Sequence, residues 1–194
     1  MNILFLGPDK QPQNSIINFL LSDGNLVNKY EDKLDIEKVE KYKYDFLISF
    51  GYRYIIKDKI LTHFKENALN LHISYLPWNR GSDPNLWSIL ENTPKGVTIH
   101  QLESGIDKGK ILYQKEILFE NNDTLKSSYN KLMDAIVSLF IANWKNIKSK
   151  KVIPIKQKGP GTYHKSSDKN SYLNLLTNGW DTELKEIEGK AINA

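Results

Sequence analysis

The stretch that decides the fold reads Ala68-Leu69-Asn70-Leu71-His72-Ile73, followed at once by Ser74-Tyr75-Leu76-Pro77-Trp78-Asn79-Arg80-Gly81. Its first half is predicted to be a buried β-strand, because a short apolar run bounded by a turn is typical of strands covered on both faces. Leu76-Pro77 ends the run and stiffens the chain beyond it. Asn70 and His72 are two residues apart, so on a strand their side chains point to the same side.

Two more apolar runs upstream predict strands of the same kind. Ile3 to Leu6 stops at Gly7-Pro8, and Asp45 to Phe50 stops at Gly51. Between them, apolar residues at helical spacing over 16–21 predict a helix, and a short polar strand is expected over 26–30. This alternation predicts an α/β fold, a Rossmann-like, open, twisted and mainly parallel sheet flanked by helices. Ligands of such sheets bind beyond the carboxyl ends of the strands, where both Gly51 and His72 are expected.

The sequence pattern changes downstream of the predicted strand over residues 68–73. The runs 97–102 and 111–118 flank a short turn, which predicts an antiparallel addition to the sheet. Asp123 is expected to cap a long helix that begins near Thr124. Its predicted apolar face contains Leu125, Tyr129, Leu132, Met133, Ile136, Leu139, Phe140 and Ile147.

The composition becomes polar after Pro154. We therefore predict a principal domain over residues 1–153 and a C-terminal extension over 154–194 that packs on it. The extension is expected to be short and irregular, with a loop over 159–164 and a short helix over 172–176.

Composition narrows the class of protein. Hydrophobic residues make up 40% and charged residues 26% of the 194 residues, as in ordinary globular proteins. There is no cysteine, which excludes disulfides and fits a cytoplasmic location. The net charge is only +4, and the longest basic run is 148–151, so no nucleic-acid partner is expected. No membrane span, signal peptide or metal-ligand cluster is expected either.

A second motif supplies the carboxylate that the first one lacks. It reads Gly96-Val97-Thr98-Ile99-His100-Gln101-Leu102-Glu103-Ser104-Gly105-Ile106-Asp107-Lys108-Gly109. An Asn amide can donate a hydrogen bond to a developing oxyanion, an imidazole can move a proton near neutral pH, and a carboxylate can orient it or act as a base. Asn70, His72 and Asp107 together are therefore predicted to be catalytic. Taken singly, Asn70 and Asp107 are more readily explained as turn residues, and His72 as a hydrogen-bonded polar residue without a catalytic role.

The two motifs together resemble the formyltransferases that use 10-formyltetrahydrofolate. The family pattern Asn-x-His-x-Ser-x-Leu-Pro, with Arg-Gly after it, matches residues 70–81, and Gly-x-Thr-x-His followed by Gly-x-Asp-x-Gly matches residues 96–109. The resemblance implies the formyltransferase fold, with residues 1–153 as the catalytic domain and Asn70, His72 and Asp107 as its catalytic residues. It implies that 10-formyltetrahydrofolate is the co-substrate and that the reaction needs no metal.

The same resemblance implies two sets of binding residues. The pterin pocket would be lined, largely through main-chain groups, by Tyr52, Arg53, Tyr54, Ile56, Leu61, Leu102, Ser104 and Ile106. The substrate would be contacted by Trp78, Asn79 and Arg80 in a mobile loop that ends near Asp83. Arg80 would pair with a diphosphate, because its planar fork matches phosphate geometry.

Within the family, the chain is most similar to the sugar N-formyltransferases. Its loop after the first strand has one glycine and two prolines over residues 7–14, which suits poorly the backbone phosphate site of glycinamide ribonucleotide transformylase. Its length and weak charge argue against the tRNA-binding domain of methionyl-tRNA formyltransferase. The segments 161–165 and 179–182 are similar to the tails of sugar N-formyltransferases. The implied acceptor is the amine of a dTDP-, UDP- or GDP-linked amino deoxysugar, as used in lipopolysaccharide or O-antigen synthesis.

Three alternatives stay open at the level of sequence. The acceptor could be glycinamide ribonucleotide or another small amine. The formyl group could pass to water, as in a formyltetrahydrofolate hydrolase. The chain could also be a non-catalytic protein that binds folate or a nucleotide. The family favours a homodimer.

Overall fold

The computed structural model describes residues 1–191, and a six-stranded sheet forms its centre. Its strands are β1 (Asn2–Leu6), β2 (Leu26–Tyr30), β3 (Phe46–Ser49), β4 (Ala68–His72), β6 (Gly96–Gln101) and β7 (Ile111–Glu116), in the order β2-β1-β3-β4-β6-β7. β1 to β4 are mutually parallel, whereas β6 runs antiparallel to both of its neighbours. A second, two-stranded sheet pairs β5 (Arg80–Gly81) with β8 (Tyr163–His164). The predicted α/β, mainly parallel architecture is confirmed.

Within residues 1–191, six α-helices accompany the sheets: α1 (Gln13–Ser22), α2 (Ile36–Tyr42), α3 (Asp58–Phe64), α4 (Pro84–Leu90), α5 (Leu125–Lys148) and α6 (Leu184–Ile187). Short 3-10 helices span Lys65–Asn67, Asp168–Leu175 and Gly179–Asp181. α1 and α5 pack on one face of the large sheet, and α2 and α3 pack on the other. Over residues 1–191, no helix is long and apolar enough to cross a bilayer.

Burial on both faces explains why the parallel strands read as continuous apolar runs. In β1, Ile3 and Phe5 pack with α1 and α5, whereas Leu4 and Leu6 pack with α2 and α3. All four side chains are fully buried. A strand exposed on one face would alternate apolar and polar residues instead.

The structure differs from the sequence prediction in the shorter helices. α2, α3 and α4 have seven residues each and were not predicted, because two turns give too little periodicity to recognise. The predicted helix over 172–176 is part of the 3-10 helix that begins at Asp168. The N-cap of α5 is Thr124 rather than Asp123. Asp123 instead accepts hydrogen bonds from the Ser127 hydroxyl and the Glu120 backbone N–H.

The C-terminal residues return to the body of the protein at two places. β8 pairs with β5, next to the end of β4. α6 contributes Leu184 and Ile187 to a separate apolar cluster with residues of α4 and with Leu125. The division into residues 1–153 and 154–194 stays a prediction, and residues 192–194 of the predicted extension lie outside the described part of the chain.

The start of α5 allows a direct test of local stability. The Thr124 hydroxyl accepts from the Ser127 N–H at 3.2 Å, and the Ser127 hydroxyl accepts from the Thr124 N–H at 2.9 Å, which is a capping box. Thr124→Ala is expected to lower the free energy of unfolding by about 1 kcal/mol, measured by urea denaturation. Ser149→Ala, at the other end of the same helix, is the control and should change it by less than about 0.5 kcal/mol. Equal effects of the two substitutions would contradict a stabilising cap.

Candidate active site

A large cavity of about 1000 Å³ opens at the carboxyl ends of the parallel strands. Pro8 beyond β1, Ser49 to Gly51 at the end of β3, and His72 at the end of β4 all line it. This is the position that the open-sheet topology predicts for a ligand site.

Asn70, His72 and Asp107 meet in the wall of this cavity. Asn70 Nδ2 donates to Asp107 Oδ1 over 3.1 Å, and His72 Nε2 lies 3.7 Å from Asp107 Oδ2. The His72 and Asp107 side chains are only 9% and 11% exposed, so water screens their interaction weakly. The structure therefore brings together the three residues that the two motifs single out.

His100 is a fourth member of this group that the sequence analysis did not assign to the site. It lies opposite Asn70 in the antiparallel register of β4 and β6. Its Nδ1 is 2.8 Å from the Gln101 carbonyl, which can only accept, so Nδ1 carries a proton. The Nε2 of the neutral ring then accepts from Asn70 Nδ2 over 3.2 Å. A protonated ring would instead donate to Asp107 Oδ1, which is 3.4 Å away.

The environment of Asp107 favours its ionised form. Burial alone would raise the pKa of this carboxyl, but the charge of His72, the hydrogen bond and charge of His100, and the Gly81 N–H hold that pKa well below its usual range. The Gly81 N–H donates to Asp107 Oδ2 over 2.8 Å. Asp107 is thus a fixed negative charge between two imidazoles.

The turn that presents Asp107 is held by the C-terminal part of the chain. Gln157 Nε2 donates to the carbonyls of Asp107 and Gly109 over 2.7 and 2.8 Å. The Nε and Nη2 of Arg80 donate to Gln157 Oε1 over 3.1 and 2.9 Å. Asp107 itself has φ 50°, in the left-handed region that aspartate tolerates better than most residues. No local sequence signal marks Gln157, because it acts through contacts about fifty residues away.

All eight residues predicted for the pterin pocket line the cavity: Tyr52, Arg53, Tyr54, Ile56, Leu61, Leu102, Ser104 and Ile106. The Tyr52 hydroxyl is engaged within the protein, since it donates to the Asp32 carbonyl and accepts from the Leu34 N–H. Burial raises the pKa of Tyr52. Its hydroxyl therefore fixes the wall, and its ring is left to contact a ligand.

The three residues predicted to contact the substrate do not line the cavity. Asn79 is fully buried, with its side chain against Glu91, Thr93 and Thr162. Arg80 points to Gln157, and Trp78 is half-buried. The expected mobile loop is instead tied down, because residues 80–82 pair with residues 162–164 through backbone hydrogen bonds.

The cavity also has lining residues that the sequence analysis did not assign to the site. They come from the loop after β1 and the first residue of α1, from α5 and from the C-terminal segment: Lys10, Gln13, Tyr129, Met133, Tyr163 and Ser166. A sequence pattern cannot show this convergence, because these residues come from three distant segments. The cavity is therefore larger than the predicted folate residues alone would form.

Comparison with known proteins finds similarity to formyl transferases in both sequence and structure. The family model described as formyl transferase matches residues 5–143. The chain is 30% identical over 161 residues to the methionyl-tRNA formyltransferase of Clostridium beijerinckii, covering 82% of this chain and 51% of that protein. It is 41% identical over 109 residues to the bifunctional polymyxin resistance protein ArnA of Wigglesworthia glossinidia brevipalpis, covering 56% of this chain and 16% of that protein. The chain thus spans about half, or less, of the length of these curated relatives.

Among the similar solved structures, one matches almost the whole chain at high sequence identity. It is the formyltransferase PseJ from Anoxybacillus kamchatkensis, in complex with UDP-4,6-dideoxy-4-formamido-L-AltNAc and tetrahydrofolate. The identity is 49%, the TM-score is 0.94, and the match covers 98% of this chain and 100% of that one. A 4-N formyltransferase from Francisella tularensis shares the fold with a TM-score of 0.75 at 22% identity, covering 97% of this chain and 86% of that one.

Proposed function

The chain belongs to the formyl transferase family, and on that premise we propose that it transfers the formyl group of 10-formyltetrahydrofolate to the amine of a nucleotide-linked amino deoxysugar. The observation that carries the proposal is the buried Asp107 carboxylate, joined to Asn70 and placed between His72 and His100 in the wall of the cavity. This arrangement can polarise a carbonyl and accept a proton at the same place, as acyl transfer to an amine requires.

The acceptor class is inferred from PseJ. Its structure contains a UDP-linked 4-formamido sugar together with tetrahydrofolate. We therefore propose a UDP-linked 4-amino-4,6-dideoxy sugar as the acceptor of this chain. The extent of the cavity supports the proposal that two substrates bind there. Its wall continues beyond the eight predicted folate residues to Lys10, Tyr129 and Tyr163.

The co-substrate supplies an activated formyl group. The walls of the predicted pterin pocket suit the flat, partly polar pterin ring. The Tyr52 and Tyr54 rings lie 5.5 Å apart edge to face at one side of the predicted pterin pocket. Leu61 and Leu102 add apolar contacts. Main-chain groups of the segments 52–56 and 102–106, which line the cavity, could pair with the donors and acceptors of a pterin edge. Tyr54 and Ile106 are 39% and 37% exposed, so the entrance to this pocket is open.

In the proposed reaction, the amine nitrogen bonds to the formyl carbon while the bond from that carbon to the folate nitrogen breaks. The products are a formamide and tetrahydrofolate. The amine nitrogen loses one proton, which takes the place of the formyl group on the folate nitrogen. If the sugar binds as an ammonium, a second proton is lost to water. His72, next to the ionised Asp107, is placed to take and return the first of these protons. Asp107 stabilises the imidazolium that forms, as a neighbouring carboxylate does for other catalytic histidines.

Asn70 is proposed to bind the formyl oxygen as negative charge develops on it. Both of its N–H groups are engaged in the structure, one with Asp107 Oδ1 and one with His100 Nε2. The bond to neutral His100 is the weaker one, because hydrogen bonds to ionised acceptors are about twice as strong. We therefore expect the oxygen to displace His100, while Asn70 keeps its bond to Asp107.

The alternatives differ in what the cavity must hold. A hydrolase would use the same catalytic residues but needs no space for a sugar nucleotide. A non-catalytic binding protein needs no buried carboxylate between two imidazoles, an arrangement that requires desolvating a charge. Glycinamide ribonucleotide transformylase would need a backbone phosphate site, for which the loop over 7–14, with one glycine and two prolines, is poorly suited. A homodimer is a further proposal taken from the family, to be tested by light scattering of the full chain.

A panel of acceptors tests the proposed function. The full chain is incubated with 10-formyltetrahydrofolate and UDP- or dTDP-linked 4-amino and 3-amino deoxysugars, with glycinamide ribonucleotide and with no acceptor, and tetrahydrofolate release is measured. We expect UDP-linked 4-amino sugars to react with a kcat/KM at least about tenfold above the rest, because a missing hydrogen bond to a buried site costs at least that much. Release without acceptor would indicate a hydrolase, and reaction of glycinamide ribonucleotide alone would overturn the sugar assignment.

A further inference from the structure

The fully buried Asn79 lies directly behind His72. His72 Nε2 is 3.1 Å from the Asn79 carbonyl oxygen, which can only accept, so this nitrogen carries the proton of the neutral ring. The acceptor nitrogen of neutral His72 is then Nδ1. The choice of tautomer matters for catalysis, because only the unprotonated nitrogen can take a proton.

The position of the Asn79 carbonyl is fixed by the rest of that residue. Its backbone has φ 54°, in the left-handed region that asparagine tolerates better than most residues. Its N–H donates to the Thr162 hydroxyl over 2.8 Å, and its Oδ1 accepts from the Thr93 hydroxyl over 2.9 Å. Its Nδ2 donates to Glu91 Oε2 over 3.2 Å. Every polar group of Asn79 is therefore bonded, so the residue cannot turn without losing several buried hydrogen bonds.

Glu91 is contacted on its other side by the C-terminal segment. Its Oε1 lies 3.1 Å from His164 Nε2, and the His164 ring stacks on Trp87 with centroids 3.8 Å apart and planes at 6°. His164 belongs to β8, which pairs with the strand that follows Asn79. A continuous set of contacts thus runs from the C-terminal segment through Glu91 and Asn79 to the ring of His72.

We propose that Asn79 and Glu91 are positioning residues that fix the tautomer and orientation of the His72 ring, and that neither contacts a substrate. The proposal rests on the role proposed above for His72. It replaces the expectation that Asn79 binds the substrate, because its side chain is fully buried behind the cavity wall. Glu91 orients Asn79, and Asn79 presents its carbonyl to His72.

A swap of donor and acceptor tests the contact between Asn79 and Glu91. Asn79→Asp places two carboxylates against each other where the Nδ2 to Oε2 distance is now 3.2 Å. We expect kcat to fall about 10- to 100-fold, while KM for both substrates stays within about threefold of that of the unchanged chain. The reason is that displacing a catalytic group by about an ångström slows the reaction without weakening substrate binding. Adding Glu91→Gln restores a bond with donor and acceptor exchanged, and kcat should recover to within about threefold of the original. Glu91→Gln alone completes the double-mutant cycle and should lose less than Asn79→Asp.

The matched control is Asn92→Asp. Asn92 also has a left-handed backbone, with φ 47°, but it is exposed and its Oδ1 contacts Lys95. This variant should retain the original kcat. A folded Asn79→Asp variant with the kcat of the control, or a folded double variant that does not recover, would overturn the proposal.

A second measurement does not depend on turnover. Two-bond ¹H–¹⁵N spectra of the labelled full chain report which ring nitrogen of a neutral histidine is protonated, and His72→Gln identifies the His72 signals. We expect the Nε2–H form for His72. Finding the Nδ1–H form would overturn the proposal even if formyl transfer occurs as proposed. Finding Nε2–H in a chain without transferase activity would refute the function and leave the positioning intact.

Discussion

Asp107→Asn is expected to lower kcat for formyl transfer about a thousandfold or more, with the protein still folded. The carboxylate accepts hydrogen bonds from Asn70 and Gly81 and lies within 4 Å of both imidazoles. An Asn side chain has the same shape, but an NH2 group replaces one of the two oxygens. This donor would then face the N–H groups that now donate to Asp107. The substitution also removes the charge that stabilises protonated His72.

The measurement is a full kinetic analysis with both substrates saturating. Asp134→Asn, an exposed substitution of the same type on α5, is the control and should leave kcat unchanged. Loss of binding of either substrate with normal kcat would point to a binding role for Asp107. Retention of kcat to within about tenfold in folded protein would exclude the proposed acid–base function, for which 10²–10⁴-fold is the usual contribution.

The same variant gives a readout in acid. The folded pKa of Asp107 lies below its unfolded value, so the ionised carboxylate stabilises the fold fully above the unfolded pKa of about 4. This stabilisation is lost as the pH falls through that value toward the folded pKa. We therefore expect the free energy of unfolding, measured by urea denaturation, to fall less steeply for Asp107→Asn than for the unchanged chain between roughly pH 5 and roughly pH 3.

The large features of the fold follow from the sequence because each is encoded locally. Ile3 to Leu6 and Asp45 to Phe50 are apolar on both faces, and only strands covered by helices on both sides bury such runs. The apolar stripe of α5 repeats over 24 residues, which gives the helical period enough length to be recognised. α2 and α4 have seven residues, too few for the same signal.

The sequence predicted that the motif residues of the candidate site lie together, because local strand geometry and pairing place them there. Asn70 and His72 share a face because strand geometry requires it, and Asp107 reaches them because the turn after β6 ends beside β4. His100 was within reach of sequence reasoning, since an antiparallel pairing of the two motifs places it opposite Asn70. That inference needed the register, which depends on the turn and on side-chain burial together.

The surroundings of Arg80 and Asn79 were not predictable, because they depend on distant partners. A loop arginine beside a catalytic motif suggests a phosphate ligand, but Arg80 is directed by Gln157, 77 residues later. Asn79 is buried by Thr162, 83 residues later, through the pairing of β5 with β8. Such contacts follow from the path of the C-terminal segment, which its own polar sequence does not specify.

Gly109→Ala is expected to be the most destabilising single-methyl change in the Asp107 turn. A Cβ at this position would lie 1.8 Å from the carbonyl oxygen of Gln101 and 3.4 Å from His100 Nδ1. These two atoms form the hydrogen bond that sets the His100 tautomer. The Gln101 carbonyl belongs to the backbone of β6, so it cannot move away without disturbing the sheet. The added methyl would push the turn outward and break the bond from Gln157 to the Gly109 carbonyl.

We expect Gly109→Ala to lower the free energy of unfolding by about 3 kcal/mol, the upper part of the range for overpacked sites. The matched control is Gly105→Ala in the same turn. Its Cβ would meet only the flexible Lys108 side chain at 3.1 Å, and its φ of +96° adds a strain of about 1 kcal/mol. Urea denaturation of both variants at neutral pH makes the comparison. Because the displaced turn carries Asp107, the Gly109→Ala protein that stays folded should also lose most of its kcat. Equal stability of the two variants would show that the strand yields to the methyl group, and that the close packing of this glycine does not hold Asp107 in place.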